Sequence, residues 1–114
     1  MSELVNRRVA GRELAFDQAG YLADWDQWDR DVARALAAED ELELSPAHWE
    51  IIEFLRDYYE EFAMAPPIRL LLKAVAARLG QDKGQSRYLY RLFPEGPAKQ
   101  ACRYAGLPKP VSCI

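Results

Sequence analysis

The chain is poor in the residues that build metal sites and disulfide scaffolds. Its 114 residues include two cysteines, Cys102 and Cys113, and a single histidine, His48. A tetrahedral zinc site takes four ligands, and a disulfide-rich scaffold takes several cysteine pairs. We therefore expect no metal and no cofactor, and a core built from the hydrophobic residues that make up 50% of the sequence.

Long hydrophobic runs are also missing. No stretch of 18 apolar residues occurs, and the first residues, MSELVNRR, lack the apolar core of a signal peptide. We therefore expect a cytoplasmic protein with no membrane partner. A permanent disulfide is disfavoured in that compartment, so a cysteine pair indicates metal binding, redox chemistry or catalysis.

Acidic residues are scarce in the second half of the chain. Residues 66–114 hold 9 Lys/Arg and 2 Asp/Glu, whereas residues 1–65 hold 6 Lys/Arg and 16 Asp/Glu. Both cysteines lie in the basic half, where positive charge favours the thiolate and attracts anionic substrates or partners. The alternative is that the two halves neutralise each other within one fold.

The periodicity of apolar residues predicts a mainly helical fold. A short hairpin at about residues 5–17 is followed by a helix that Asp24 caps and that runs to Ala38. Ser45 as the cap and Pro46 as the first residue open a second helix, whose predicted buried face is Trp49, Ile52, Leu55, Tyr59 and Phe62. Three further helices are expected at 68–79, from a cap at Ser86, and from Pro97 to about Tyr104.

The predicted architecture is a five-helix orthogonal body with the hairpin, over residues 1–104, followed by a mobile C-terminal arm. The arm comprises residues 105–114. Gly106, Pro108 and Pro110 interrupt any helix there, and nine extended residues up to Cys113 span about 30 Å.

The two cysteines are the main candidates for chemistry. Cys113 near the end of the arm is suited to carrying a group to a partner, and Cys102 at its base is suited to acting as a second thiol. A persulfide held by one thiol could be discharged through the other, or the pair could be stored as a disulfide. The alternatives are a buried small hydrophobe for Cys102 and an incidental exposed residue for Cys113.

Basic side chains surround these thiols in the sequence. The functional interpretation is thiolate activation and anion docking, and the alternative is a solvated surface. The residues are Arg87, Arg91, Lys99, Arg103 and Lys109.

A second function class is a DNA-binding or thiol-redox regulator. The two helices around residues 63–67 form a possible helix-turn-helix, with Arg69, Lys73 and Arg78 on its second helix. The acidic preceding helix would be repelled by phosphate and so disfavours DNA binding. A purely structural subunit is a third possibility.

Several segments resemble the DsrC/TusE family. They are residues 20–22, 48–62, 83–94 (KGQSRYLYRLFP), 96–102 (GPAKQAC) and 105–110, followed by Cys113. The resemblance implies a helical body with a mobile arm, and a cytoplasmic sulfur carrier of the sulfurtransferase type rather than an autonomous catalyst. It also implies that Cys113 bears the persulfide and that Cys102 cooperates with it.

The resemblance implies partners of two kinds. DsrC-type members work with dissimilatory sulfite reductase, where sulfur is bound between the two cysteines as a trisulfide, or with TusA-like and DsrEFH-like proteins. TusE-type members take sulfur from a TusBCD-like complex and pass it to a tRNA-thiolating enzyme. Cys102 favours the DsrC type, whereas the segments 86–93 and 110–114 resemble TusE, so both pathways stay open.

Overall fold

The computed structural model describes residues 3–110 and contains one hairpin and five α-helices. The strands are β1 (Val5–Val9) and β2 (Arg12–Phe16). They pair antiparallel, with Val5 opposite Phe16 and Val9 opposite Arg12. Ala10 and Gly11 join them with positive φ angles of 54° and 76°, as a two-residue type I′ turn requires. The predicted hairpin is confirmed.

The five helices follow in chain order. They are α1 (Arg30–Glu39), α2 (Pro46–Phe62), α3 (Ile68–Leu79), α4 (Ser86–Leu92) and α5 (Pro97–Tyr104). Within residues 3–110, no helix is long and apolar enough to cross a bilayer. The prediction of a mainly helical fold with five helices and an N-terminal hairpin is confirmed.

Local sequence signals set most of the helix ends. Ser45 caps α2: its backbone N–H donates to His48 Nδ1 over 3.0 Å, and its hydroxyl accepts from the His48 N–H over 3.5 Å. The α3 helix begins after Pro67 and ends at Gly80, whose φ of 120° no longer fits a helix. Ser86 is the first residue of α4 rather than its cap, a position that Gln85 occupies.

The predicted helix from Asp24 to Ala38 is wrong in its first part. Asp24 instead caps a single 3-10 turn, Trp25–Gln27, and Trp28 is extended with a ψ of 144°. A second cap, Asp29, then starts α1 by accepting from the Val32 N–H over 2.9 Å. The chain leaves helical geometry at Trp28 because its indole N–H donates to the distant Tyr104 carbonyl over 2.7 Å.

The predicted buried face of α2 is also partly wrong. Ile51, Ile52 and Leu55 are fully buried, whereas Phe62 is 52% exposed. The Phe62 ring, in the last turn of α2, packs against Tyr58 with 4.6 Å between ring centroids and is otherwise open to solvent.

The α5 helix lies at the centre of the core and contacts all four other helices. Six of its eight residues are buried: Pro97, Ala98, Gln100, Ala101, Cys102 and Tyr104. This helix therefore fixes the position of one of the two cysteines.

Candidate functional site

The Cys102 thiol is inaccessible to solvent in this structure. Its side chain is fully buried, and burial raises the pKa of the thiol from 9.0 to about 12. A thiol with that pKa is neutral at physiological pH and is a poor nucleophile. In this conformation burial opposes the thiolate activation predicted from the nearby basic residues, because exclusion of water favours the neutral thiol.

Tyr21 is the titratable group that interacts with this thiol. Burial raises the pKa of Tyr21, the Cys102 thiol raises it further, and the Arg103 charge opposes both. Tyr21 also lines a small pocket of about 190 Å³ together with Lys99 and Arg103. Tyr21 therefore interacts with the buried thiol and also lines the surface pocket.

A partly buried arginine and two tryptophans hold the chain where it leaves α5, and we call Trp25, Trp28 and Arg56 the α5 clamp. The Arg56 guanidinium donates to the Ala105 carbonyl over 2.8 Å and to the Trp25 carbonyl over 3.1 Å. Its carbon lies 4.1 Å from the Trp28 ring centre and 4.8 Å from that of Trp25. Burial lowers the pKa of Arg56, while nearby acidic residues, led by Asp26, support the charged form.

The packed body extends past residue 104, where the predicted arm was expected to begin. Ala105 and Leu107 are fully buried, and the Leu107 N–H donates to the Cys102 carbonyl over 3.0 Å. Pro108 and Lys109 are exposed, and Pro110 is buried again. The first residues assigned to the arm thus belong to the packed body. Cys113, with residues 111–114, lies outside the described residues.

The five predicted basic residues do not converge on one point. Arg87 and Arg91 are exposed on α4, and Lys99 is exposed on α5. Arg103 forms an ion pair with Asp40, which also accepts from the Tyr104 hydroxyl over 2.6 Å. The charge of Arg103 is therefore already paired within the fold.

A groove brings Lys99 and Lys109 together, and we call it the C-terminal groove. Its volume is about 350 Å³. It is lined by Pro67, Ile68, Tyr90, Glu95, Gly96, Pro97, Ala98, Lys99, Lys109 and Pro110. Sequence reasoning missed its apolar members, although Tyr90, an aromatic residue on the wet face of a short helix, was a signal that pointed to it.

The helix-turn-helix interpretation loses one of its three basic residues. Arg69 and Lys73 are exposed on α3, but Arg78 pairs with Glu61 of α2 at 3.2 Å. Arg78 is therefore partly neutralised by the acidic helix beside it.

The chain matches a known protein family over nearly its whole length. The family described as DsrC-like protein matches residues 8–114. Sulfurtransferase TusE of Salmonella paratyphi A is 55% identical over 104 residues, which cover 91% of this chain and 95% of that protein. The Escherichia coli protein of the same name is 54% identical over the same shares of each chain.

Solved structures agree in fold. The solution structure of Allochromatium vinosum DsrC matches with a TM-score of 0.85 and 53% identity, and covers 100% of both chains. The oxidized gamma-subunit of dissimilatory sulfite reductase (DsrC) from Archaeoglobus fulgidus matches with a TM-score of 0.80 and 43% identity, covering 96% of this chain and 100% of that one. With its matching sequence, helical body and cysteine-bearing α5, the chain belongs to the DsrC-like protein family.

Proposed function

We propose that this chain is a sulfur-relay carrier in which Cys113 accepts and donates sulfane sulfur. Membership of a family that contains sulfurtransferases and sulfite reductase subunits supports the relay role. The observation that carries the residue assignment is the state of the other thiol. Cys102 is fully buried and burial raises its pKa to about 12, which supports uptake of the cargo at Cys113.

The transfer itself is a nucleophilic exchange at sulfur. The Cys113 thiolate attacks the outer sulfur of a donor persulfide, the sulfur–sulfur bond of the donor breaks, and the donor thiolate leaves with the electron pair. Donation is the same step with Cys113 as the leaving thiolate. The chain ends each cycle unchanged.

We assign Cys102 the role of a partner thiol that acts after the residues that bury it, its cover, have moved away. Its thiolate would attack the inner sulfur of the Cys113 persulfide and release hydrosulfide, leaving a Cys102–Cys113 disulfide. Opening is required first because a thiol with a pKa of about 12 is protonated at neutral pH.

The partners in this proposal are sulfur-transfer proteins met in the cytoplasm. On the TusE side they are a TusBCD-like complex and a tRNA-thiolating enzyme. On the DsrC side they are DsrEFH-like or TusA-like proteins and dissimilatory sulfite reductase. The proposal covers both sides because identity to TusE, 55%, and to DsrC, 53%, is nearly the same.

The basic residues have unequal roles in this proposal. Lys99 and Lys109 face the same groove and are suited to meeting anionic groups near the tail. Arg87 and Arg91 are exposed on α4 and are suited to binding further anionic groups. Arg103 is paired with Asp40. Family membership favours the sulfur carrier over the DNA-binding or redox-regulator alternative.

The test is sulfur loading followed by intact mass measurement. We expect a persulfide donor to add the mass of one sulfur atom to the native chain and to the Cys102→Ala variant, and to leave the Cys113→Ala variant unmodified. Denaturing the Cys113→Ala variant before loading should expose Cys102 and restore an adduct, which shows that the donor was active. A native Cys113→Ala chain that loads as fast as the unchanged one would disprove the assignment.

A further inference from the structure

The C-terminal groove combines an apolar lining with an exposed aromatic ring. Pro67, Ile68 and Pro97 form apolar parts of its wall, and Tyr90 beside them is 48% exposed. A tyrosine with that much open ring gives a large contact area at little entropic cost, which is why the residue is enriched in protein–protein interfaces.

Its rim carries positive charge that the fold leaves uncompensated. Lys99 and Lys109 line the groove, and Glu95 is the single acidic residue among its lining. Within residues 3–110, neither lysine takes part in an ion pair, whereas Arg78, Lys83 and Arg103 of the same half all do. The groove is therefore suited to carboxylates brought by a partner.

The length of the tail ties this groove to the reactive thiol. Pro110 is buried and forms part of the groove wall, and Cys113 follows three residues later. At about 3.3 Å per residue, the three residues from Pro110 to Cys113 can span at most about 10 Å. A protein that exchanges sulfur with Cys113 then has to approach the rim of this groove.

We propose that the C-terminal groove is the docking surface for the sulfur-exchanging protein, which presents carboxylates around an apolar side chain. The apolar side chain packs on Tyr90 and the proline wall, and the carboxylates pair with Lys99 and Lys109. An RNA phosphate backbone would use the two lysines but would leave the apolar wall without a partner. The inference rests on the proposed function, because it names the partner surface of the same site.

The test uses three synthetic peptides that share one aliphatic sequence. Each contains a cysteine activated as a mixed disulfide with thionitrobenzoate, and their flanking residues are acidic, neutral or basic. The Cys113 thiolate attacks the peptide sulfur, the mixed disulfide breaks, and thionitrobenzoate leaves with the electron pair. Its absorbance reports the rate, and Cys102 stays protonated and buried.

We expect the acidic peptide to react with saturation and with a second-order rate constant about tenfold above that of the basic peptide at low salt. High salt should shrink the difference, since exposed charges are screened. Lys99→Glu and Lys109→Glu should each lower the rate of the acidic peptide about fivefold. Tyr90→Ser should raise its half-saturating concentration.

Lys73→Glu is the matched control. It makes the same charge change on the exposed face of α3, outside the groove lining, and should leave the peptide preference unchanged. An equal loss in Lys73→Glu would mean that net charge alone sets the rate, and equal rates for acidic and basic peptides would mean that no docking occurs. Either result would overturn the proposal.

A fourth probe separates protein from nucleic acid. A short single-stranded RNA that competes with the acidic peptide and shifts the amide resonances of Tyr90 and Lys99 would show that the groove takes RNA, and the proposal would be wrong. The persulfide test stays independent of these outcomes. Loss of the peptide preference with normal sulfur loading removes only the docking surface, whereas failed loading with the preference intact removes only the relay role.

Discussion

Cys102 lies next to Arg103 and three residues from Lys99, yet the pKa of its thiol is raised to about 12. The sequence correctly suggested a basic neighbourhood, but the outcome depends on whether water reaches the sulfur atom. Burial in a tight core disfavours the thiolate more than charges at the surface favour it. The apolar spacing of Ala98, Ala101 and Cys102 on α5 was the signal in the sequence that favoured the buried alternative.

This raised pKa predicts a loss of stability at alkaline pH. Below pH 9 the thiol is protonated in both the folded and the unfolded chain, so it contributes nothing to the pH dependence. Above pH 9 the unfolded chain releases the proton and the folded chain keeps it up to about pH 12, so stability falls as pH rises. The slope from this one group is about 1.4 kcal/mol per pH unit.

The measurement is urea unfolding of two variants over a pH series. Cys113→Ser should lose stability more steeply than Cys102→Ala/Cys113→Ser, by about 1.4 kcal/mol per unit between about pH 9.5 and 10.5. Tyr104, whose pKa burial also raises, is present in both variants and cancels, and Tyr21 cancels except for the part of its raised pKa that comes from Cys102. Parallel curves would show that the Cys102 thiol ionises in the folded state.

The helices differ in how far their sequences determined them. The ends of α2, α3 and α5 were predicted from Ser45, Pro46, Gly80 and Pro97, because caps and helix breakers act within one turn. The start of α1 was not, since Trp28 is drawn out of helical geometry by a contact 76 residues away in the chain. A periodic apolar pattern does not reveal contacts of that length.

The α5 clamp was missed for a related reason. Arg56 stands among Glu53, Asp57 and Glu60 on α2, which predicts a solvent-exposed face. The structure instead turns its guanidinium toward the Trp28 ring and the Ala105 carbonyl. A lone arginine in an acidic helix face, in a chain with three tryptophans, was the available signal.

The junction after α5 predicts a strong effect of one methyl group. A Cβ at Gly106 would lie 2.6 Å from Trp28 Cδ1, and the φ of +72° adds strain. Gly106→Ala should therefore displace Trp28 and weaken its bond to the Tyr104 carbonyl, at a cost of about 3 kcal/mol. Thermal unfolding followed by circular dichroism measures the loss.

Gly11→Ala is the matched control for this variant. Gly11 has a similar φ of +76°, but nothing lies within 4 Å of an added Cβ. It should lose only the backbone term of about 1 kcal/mol. Equal losses in the two variants would mean that the contact with Trp28 carries no energy and that the clamp does not hold the junction.

Across the whole molecule, the acidic and basic halves neutralise each other only in part. Arg78, Lys83 and Arg103 pair with Glu61, Glu50 and Asp40 across the two halves. The alternative of internal neutralisation is thus partly correct. Apart from Tyr90, the sequence held no signal for the groove, because its wall combines residues from positions 67–68, 90, 95–99 and 109–110, which only the packing of α3, α4 and α5 brings together.

The central position of α5 predicts that, in the free chain, Cys102 becomes accessible only when the whole fold opens. All four other helices contact α5, and the Leu107 N–H and Arg56 hold the chain that follows it. In the Cys113→Ser chain, alkylation of Cys102 by iodoacetamide should therefore be slowed by the full free energy of unfolding. Its logarithmic rate should rise with urea at the same slope as global unfolding.

The urea dependence of Cys102 alkylation distinguishes a local opening of the chain after α5 from global unfolding. Alkylation that is fast and independent of urea at low urea would require a local opening that lifts residues 105–107 away while the helices stay packed. The free chain would then offer both thiols for sulfur exchange. Alkylation at the global slope instead means that Cys113 works alone until a docked partner opens the cover. The urea dependence at a single thiol thus decides whether the second cysteine acts in the free carrier or only in a complex.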